Sequence, residues 1–319
     1  MTGVGMRPRT TGLTLAVLSA ATFGTSGTFA AALLAAGWSP AAAVTVRIAV
    51  AAAVLTPLAM YALRGRWHLL RVNVAAIAAY GLVAVAGCQL FYFNALDHLS
   101  VGVALLLEYS GTLLVVLWVW LRHGQRPRRL TVTGGVVAIG GLALVLDLTG
   151  HQHVSLIGVM WGLLAAAGLA VYFVLSAHVD ETLPPMAMAW GGMVIGSVTL
   201  LAFGLLGAVP LHATTRDADF NGHHTSWWVP IAGLSLVAAV IAYGAGIGAA
   251  RRLGARLASF LGLSEVLFAV IFAWLFLDQR PSGLQLVGGA LVLAGIVLVK
   301  VDEDAAERKA SEPELAAAL

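Results

Sequence analysis

Apolar runs of about 20 residues recur ten times along this chain, each long enough to cross a hydrocarbon layer roughly 30 Å thick. Spans can be drawn at about 12–36, 41–62, 74–95, 101–121 and 130–149, then at 155–177, 186–209, 228–250, 256–277 and 283–301. Within a bilayer such runs satisfy their backbone polar groups as helices. The expected fold class is therefore an all-α membrane protein with ten transmembrane helices. Composition agrees: of 319 residues, 60% are hydrophobic and 10% charged, with mean hydropathy +0.91. A soluble domain carries roughly 25% charge. The formal charge of +3 does not point to nucleic acid, because Lys and Arg are scattered through the connections. The lone Cys88 excludes an intramolecular disulfide. Arg7 and Arg9 precede the first run as they would in a signal peptide, but the run from Gly12 to Gly37 is longer than a signal core and reads as a span.

One stretch is used twice. Its first copy holds Ser110, Trp120, Gln125-Arg126-Pro127, Gly134-Gly135 and Gly141. The second holds Ser264, Trp274, Gln279-Arg280-Pro281, Gly288-Gly289 and Gly295 in one register. A repeat of this length governs the reading of the fold. It divides the chain into residues 1–149 and 150–302, five helices each, with 303–319 as an acidic tail expected to be disordered.

Lys and Arg are retained on the cytoplasmic side of a membrane. With the N-terminus inside, cytoplasmic segments hold Arg7, Arg9, Arg64, Arg66, Arg71, Arg122, Arg126, Arg128, Arg129, Arg251, Arg252, Arg256, Lys300, Arg308 and Lys309, against Arg216 and Arg280 outside. Both termini are thus expected in the cytoplasm, with the chain in the plasma membrane. Five helices is an odd number, so the second copy must lie inverted relative to the first. The basic turn at 122–129 has lost its positive charge in its counterpart at 277–283, which the topology places outside. Inverted repeats are the architecture of secondary transporters, whose central site opens alternately to each side.

Turns carry breakers such as Ser39-Pro40 and Pro184-Pro185, and the one long connection inside the bundle is polar, Leu211 to Ser226. Small residues, among them Gly134-Gly135, Gly140-Gly141, Gly244, Gly246, Gly248 and Gly288-Gly289, let helices approach closely in lipid. Trp38, Trp227, Trp228 and Trp274 are expected as interfacial anchors on the outer side, with Trp118 and Trp120 on the inner one.

Ten spans in two copies, with Leu107-Glu108-Tyr109-Ser110-Gly111 in the fourth and Ser264-Glu265-Val266-Leu267-Phe268 in the ninth, resemble the EamA-type members of the drug/metabolite transporter superfamily. The fourth-helix sequence is similar to the amino-acid exporter branch, including threonine/homoserine exporters. Thr112 and Val266 stand where that family often has proline, and the first helix lacks the acid of the small four-helix multidrug relatives. The resemblance implies a secondary active transporter that exports small polar or amphipathic metabolites, amino acids or related compounds, by alternating access with proton coupling. Multidrug or cationic-compound efflux is the alternative within that class, and an intramembrane enzyme the alternative outside it.

Arg47, Glu108 and Glu265 lie well inside spans, where a charge facing lipid costs several kcal/mol, so each should face the bundle interior or a water-filled cavity. Arg47 and Glu108 lie at similar depth, so they could pair or present opposite charges to a zwitterion; Arg47 could instead snorkel to the headgroups. Its counterpart in the second copy is Gly192. Glu265, nearer mid-span, and Glu108 are the candidates for proton coupling. Gln89, Tyr92, Asn94, Tyr109, Trp161, Tyr172 and Tyr243 complete the candidate substrate-binding set. His151, His153, His223 and His224 lack the thiolate or carboxylate partners of a metal site, so no metal is expected. There is no Walker-type phosphate loop and no cofactor motif. No Ser/His or His/Asp set converges within the spans, so the expectation is a non-enzyme. Its expected partners are a small-molecule substrate, the lipid bilayer and protons, with the chain acting as a monomer or homodimer.

Overall fold

The computed structural model describes residues 8–96, 98, 101–124, 126–145, 155–178, 182–220, 222–277 and 280–317. Arg7, Gln125, Gln279, His151 and His153, singled out from sequence, lie outside the described residues. The first half contains α1 (Pro8–Gly24, continuing as Ser26–Ala35), α2 (Pro40–Ala62), α3 (Val74–Ala79, Tyr80–Gly87 and Cys88–Leu96), α4 (Val101–Tyr109 and Gly111–His123) and α5 (Arg129–Val145). The second contains α6 (Leu156–His178), α7 (Pro185–Leu205) and α8, which starts with Trp228–Ala232 and Gly233–Ile241. The helix Ala242–Gly262 breaks at Gly254, so 242–253 finish α8 and 255–262 begin α9, which continues as Ser264–Leu277. Gly254 has φ 78° and ψ 161°, a conformation for glycine alone. The last helix, α10, is Gly283–Ala317. Among the described residues eight stretches are long and apolar enough to span a membrane, and the shorter apolar helices Arg129–Val145 and Ser264–Phe276 complete the ten.

α10 runs past residue 301, so 303–317 are helical where composition predicts disorder. Alanine and glutamate, both strong helix formers, extend the helix. A second departure is a small antiparallel hairpin between α7 and α8, β1 (Ala218–Phe220) with β2 (His223–Thr225).

The two halves share their irregularities. Each carries a π-helical stretch, Tyr80–Gly87 in α3 and Gly233–Ile241 in α8. Each breaks its fourth helix, α4 at Ser110 and α9 at Leu263. Neither break needs the proline that Thr112 and Val266 replace. Ser110 Oγ donates to the Leu107 carbonyl (2.5 Å), Thr112 Oγ1 to Tyr109 (3.0 Å) and Ser264 Oγ to Leu261 (2.6 Å). Hydroxyls that occupy carbonyls of the preceding turn bend helices in the same way.

The halves meet most closely where α5 crosses α10. A Cβ at Gly141 would lie 2.6 Å from the Gly288 carbonyl oxygen, and one at Gly288 would lie 2.6 Å from that of Gly141. Gly134 and Gly295 repeat the pattern at 2.7 and 2.5 Å. Partner numbers fall on one helix as they rise on the other, so α5 and α10, equivalent helices of the two copies, are antiparallel. That is the inverted arrangement. The seam is closed at its ends by Thr131 Oγ1 donating to Asp302 (2.5 Å) and Gln285 Nε2 donating to the Val145 carbonyl (3.0 Å).

The end of the bundle that carries the chain termini is densely packed. Ile77, Tyr80, Val119, Leu183 and Met188 are buried in one cluster there. A Cβ at Gly192 would sit 2.5 Å from the Tyr80 ring, so the glycine leaves the notch that the ring fills. At the opposite end the segment after α7 is strapped across the α1–α2 turn. Ser39 Oγ donates to Pro210 O (2.7 Å) and accepts from His212 N (2.9 Å), Trp38 Nε1 donates to Thr214 O (2.8 Å), and Thr214 Oγ1 donates to Ala36 O (2.7 Å). Trp38 is thus buried beneath the strap and stacked 6.1 Å from Trp227, rather than anchored in headgroups. Trp120, Trp228 and Trp274 are exposed, as anchors would be.

Candidate functional site

A cavity of about 470 Å³ lies inside the bundle. α1, α2, α3 and α4 of the first half wall it together with α6, α8 and α9 of the second. It extends from mid-bundle to the exposed Leu34 and Pro40, at the end opposite the termini. The clustering of Tyr80 with Leu183 and Met188 closes the other end.

Eight of the ten sequence candidates line this cavity: Arg47, Gln89, Tyr92, Glu108, Tyr109, Tyr172, Tyr243 and Glu265. Asn94 and Trp161 do not. Asn94 Nδ2 donates to the Leu90 carbonyl of its own helix (2.7 Å), and Trp161 stacks on Phe91 at 5.7 Å beside Ala95 and Ala104. Both lie toward the end of the bundle near the start of α4, where α3 and α6 meet each other rather than the cavity.

Of the two arrangements open to Arg47 and Glu108, a direct pair is not formed. Arg47 Nη1 donates to Ser26 Oγ (3.0 Å) and Nη2 to the Ala238 carbonyl (2.6 Å). Only 7% of Arg47 is exposed, so it does not snorkel, and its electrostatic neighbours are Tyr243 and Glu265. Glu108 receives instead the Cys88 thiol, Sγ to Oε1 3.3 Å. Glu265 lies beside Tyr109 in the cavity wall, so the acid of one half faces a phenol of the other. The walls are aromatic: Phe23 meets Tyr243 edge-on at 5.0 Å, Tyr243 meets Tyr172 at 5.7 Å, and Tyr172 leans on the buried Tyr80 at 5.8 Å. Such a surface supplies apolar area and positive ring edges around a few fixed polar groups.

Sequence reasoning missed Ser19, Phe23, Ser26, Cys88 and Phe173 as wall residues. Ser19 donates to the Ala242 carbonyl (2.9 Å), which ties α1 to α8. The available signal is polar serine and cysteine at mid-span. Among the described residues no three His, Cys, Asp or Glu side chains cluster as metal ligands.

The model of the EamA-like transporter family matches residues 10–147 and again 156–301. The chain belongs to the EamA-like transporter family. This EamA chain is 30% identical over 235 residues to a chloroplastic WAT1-related protein of Arabidopsis thaliana, covering 72% of itself and 55% of that relative, so it spans about half the relative's length. It is 27% identical to a protein of Streptantibioticus cattleyicolor described as a probable terminal-alkyne amino-acid exporter, with 76% and 78% of the two chains covered. The threonine/homoserine exporter RhtA of Salmonella typhimurium is 26% identical, with 67% of each chain covered. A crystal structure superposes with TM-score 0.74 at 19% identity, over 92% of this chain and 97% of the other, which shows a shared fold. The protein is a multi-pass membrane transporter.

Proposed function

We propose that this transporter is secondary active and exports small polar or amphipathic metabolites, amino acids or related compounds, by alternating access coupled to protons. The observation that carries the reading is the cavity. Both inverted halves wall it, it reaches one end of the bundle, and its wall holds a buried guanidinium together with one carboxylate from each half. Its volume lies within the roughly 300–1,000 Å³ of small-molecule sites. The exporter names of two relatives add support by analogy.

Arg47 would face a substrate carboxylate, while Glu265 and Glu108 would face an ammonium group or carry the coupling proton. Gln89, Tyr92, Tyr109, Tyr172 and Tyr243 would enclose the rest. The halves, residues 1–149 and 150–302, would exchange roles as the site changes sides. The distribution of Lys and Arg supports cytoplasmic termini and a place in the plasma membrane. The mouth near Leu34 and Pro40 would then face outward. One copy of the chain holds the whole cavity, so a monomer suffices, and a homodimer would carry two sites.

The test is uptake of labelled amino acids and of cationic dyes into proteoliposomes of the purified protein, with and without a pH gradient. Saturable amino-acid movement, lost in Glu265→Gln and kept in Glu265→Asp, is the expected result. Movement of the dyes alone would replace the substrate class with multidrug efflux. An unchanged pH dependence in Glu265→Gln would remove the coupling role. Chemical conversion of a ligand without movement would overturn transport and leave an intramembrane enzyme.

A further inference from the structure

An α-helical amide bonds the carbonyl four residues back and a π-helical amide the fifth, a costlier arrangement that recurs at functional sites. Among the described residues each half has one such stretch, and both lead directly into cavity-lining residues. Cys88, Gln89 and Tyr92 follow the stretch in α3; Tyr243, Gly246 and Ala249 follow the one in α8. At the end of the first, Cys88 N–H reaches the Val83 carbonyl. At the end of the second, Ala242 N–H bonds the carbonyls of Val237 and Ala239 and bypasses that of Ala238. The bypassed oxygen is taken by Arg47 Nη2 at 2.6 Å.

The same guanidinium holds Ser26 Oγ, one residue beyond the break in α1, through Nη1. Its Nε is buried without a hydrogen-bond partner, and so is the Ser235 hydroxyl inside the π-helical stretch. Arg47 therefore occupies the carbonyl that α8 would need to return to α-helical register. It also keeps one donor unused at the cavity wall. Gly192 stands at the matching place in the second half, so α3 has no such contact from α7.

We infer that Arg47 is the latch that holds α8 in its π register, and that an anionic group on a ligand in the cavity releases it. The inference rests on the alternating-access reading above. A planar oxyanion such as a carboxylate matches the guanidinium fork, Nε included, and competes with the neutral Ala238 carbonyl. Once freed, that carbonyl accepts Ala242 N–H. The rest of α8 then changes register by one residue, a turn of about 100° and a shift of about 1.5 Å. Tyr243, Gly246 and Ala249 leave the cavity wall together, and the Ala242 carbonyl leaves Ser19. Arg47 is thus a positioning residue as well as a candidate ligand contact.

The experiment follows thiol labelling of Tyr243→Cys in a Cys88→Ala background, with a water-soluble methanethiosulfonate and no transport substrate. Acetate against chloride at matched ionic strength is the anion probe. Acetate should slow labelling about tenfold by shifting the register population, and Arg47→Gln should slow it similarly without acetate, while Arg47→Lys labels at the parent rate. Deleting Val237 removes the extra residue and leaves both flanks of α8 in place, so labelling in that background should ignore both acetate and Arg47→Gln. Labelling indifferent to acetate in the full-length chain overturns the latch, even if Arg47→Gln fails to fold. Slowing that persists after the Val237 deletion also overturns it, because the anion would then be shielding the cavity rather than changing the helix. No substrate enters the measurement, so either failure leaves the proposed transport function standing.

Discussion

The first half of this transporter and its inverted second half repeat one backbone and diverge in the side chains around the cavity. Both break the fourth helix of the repeat at a hydroxyl-rich turn, both carry a π-helical stretch in the third, and both contribute glycines to one antiparallel seam. Against that, Arg47 faces the cavity where the second half has Gly192. Gly111, pressed onto the Ala166 backbone, stands where the second half has Glu265. The consequence is an aperture at one end. Arg47 lines a cavity that reaches the surface, while at the other end Gly192 admits the Tyr80 ring and the bundle closes. Duplication supplied hinges in pairs, and substitution of a few side chains gave the pairs different settings.

The comparison breaks most readily at the seam, where the halves are most alike. Gly141→Val should abolish recovery of folded, monodisperse protein, because its side chain would enter the Gly288 carbonyl of a helix that cannot retreat. Gly140→Val, one residue away with open space around it, should be recovered like the parent in size-exclusion chromatography. Equal recovery of both would mean the seam is looser than it looks.

The two acids sharpen the functional side of the comparison. Glu265→Gln should bring proteoliposome transport down to that of empty vesicles. Glu108→Gln should retain a measurable part, since Glu108 is engaged by a thiol of its own half while Glu265 faces Tyr109 and Arg47 of the other. Equal loss would make the acids a symmetric pair.

Smaller effects separate the two ends. Gly192→Ala should cost about 1–3 kcal/mol by overpacking against Tyr80, and Tyr80→Leu in the same chain should return part of it. Thermal unfolding in detergent reads both, and strictly additive losses would deny the notch. At the open end Trp38→Phe should cost only about 1 kcal/mol, the worth of one hydrogen bond to Thr214. Proteolysis between 208 and 226 should quicken with it, and an unchanged rate would show that the strap does not depend on this bond.

Much of this was legible in the sequence. Apolar length alone placed the ten spans, and the odd number of helices per repeat required the inversion that the α5–α10 seam displays. Burial of charge in lipid is so costly that Arg47, Glu108 and Glu265 had to converge on the interior, and they do. Asn94 and Trp161 were misplaced because depth along a helix says nothing of which neighbour each face meets. The partners of Arg47 were hidden for a related reason: they include a backbone carbonyl and a serine from other helices, and backbone carbonyls carry no sequence signal. Trp38 looked like an anchor because nothing local records that the chain after α7 folds back over it.

Chain composition and periodicity by themselves determined the solvent, the number of crossings, the inversion and the ionisable groups that must avoid lipid. These follow from one-dimensional lengths and transfer costs, which each segment pays independently of its neighbours. Only the tertiary structure decided which end of the cavity is open, which acid meets which donor and where the helices leave the α register. Those outcomes depend on contacts a few tenths of an ångström wide between helices far apart in sequence, and no single segment encodes them.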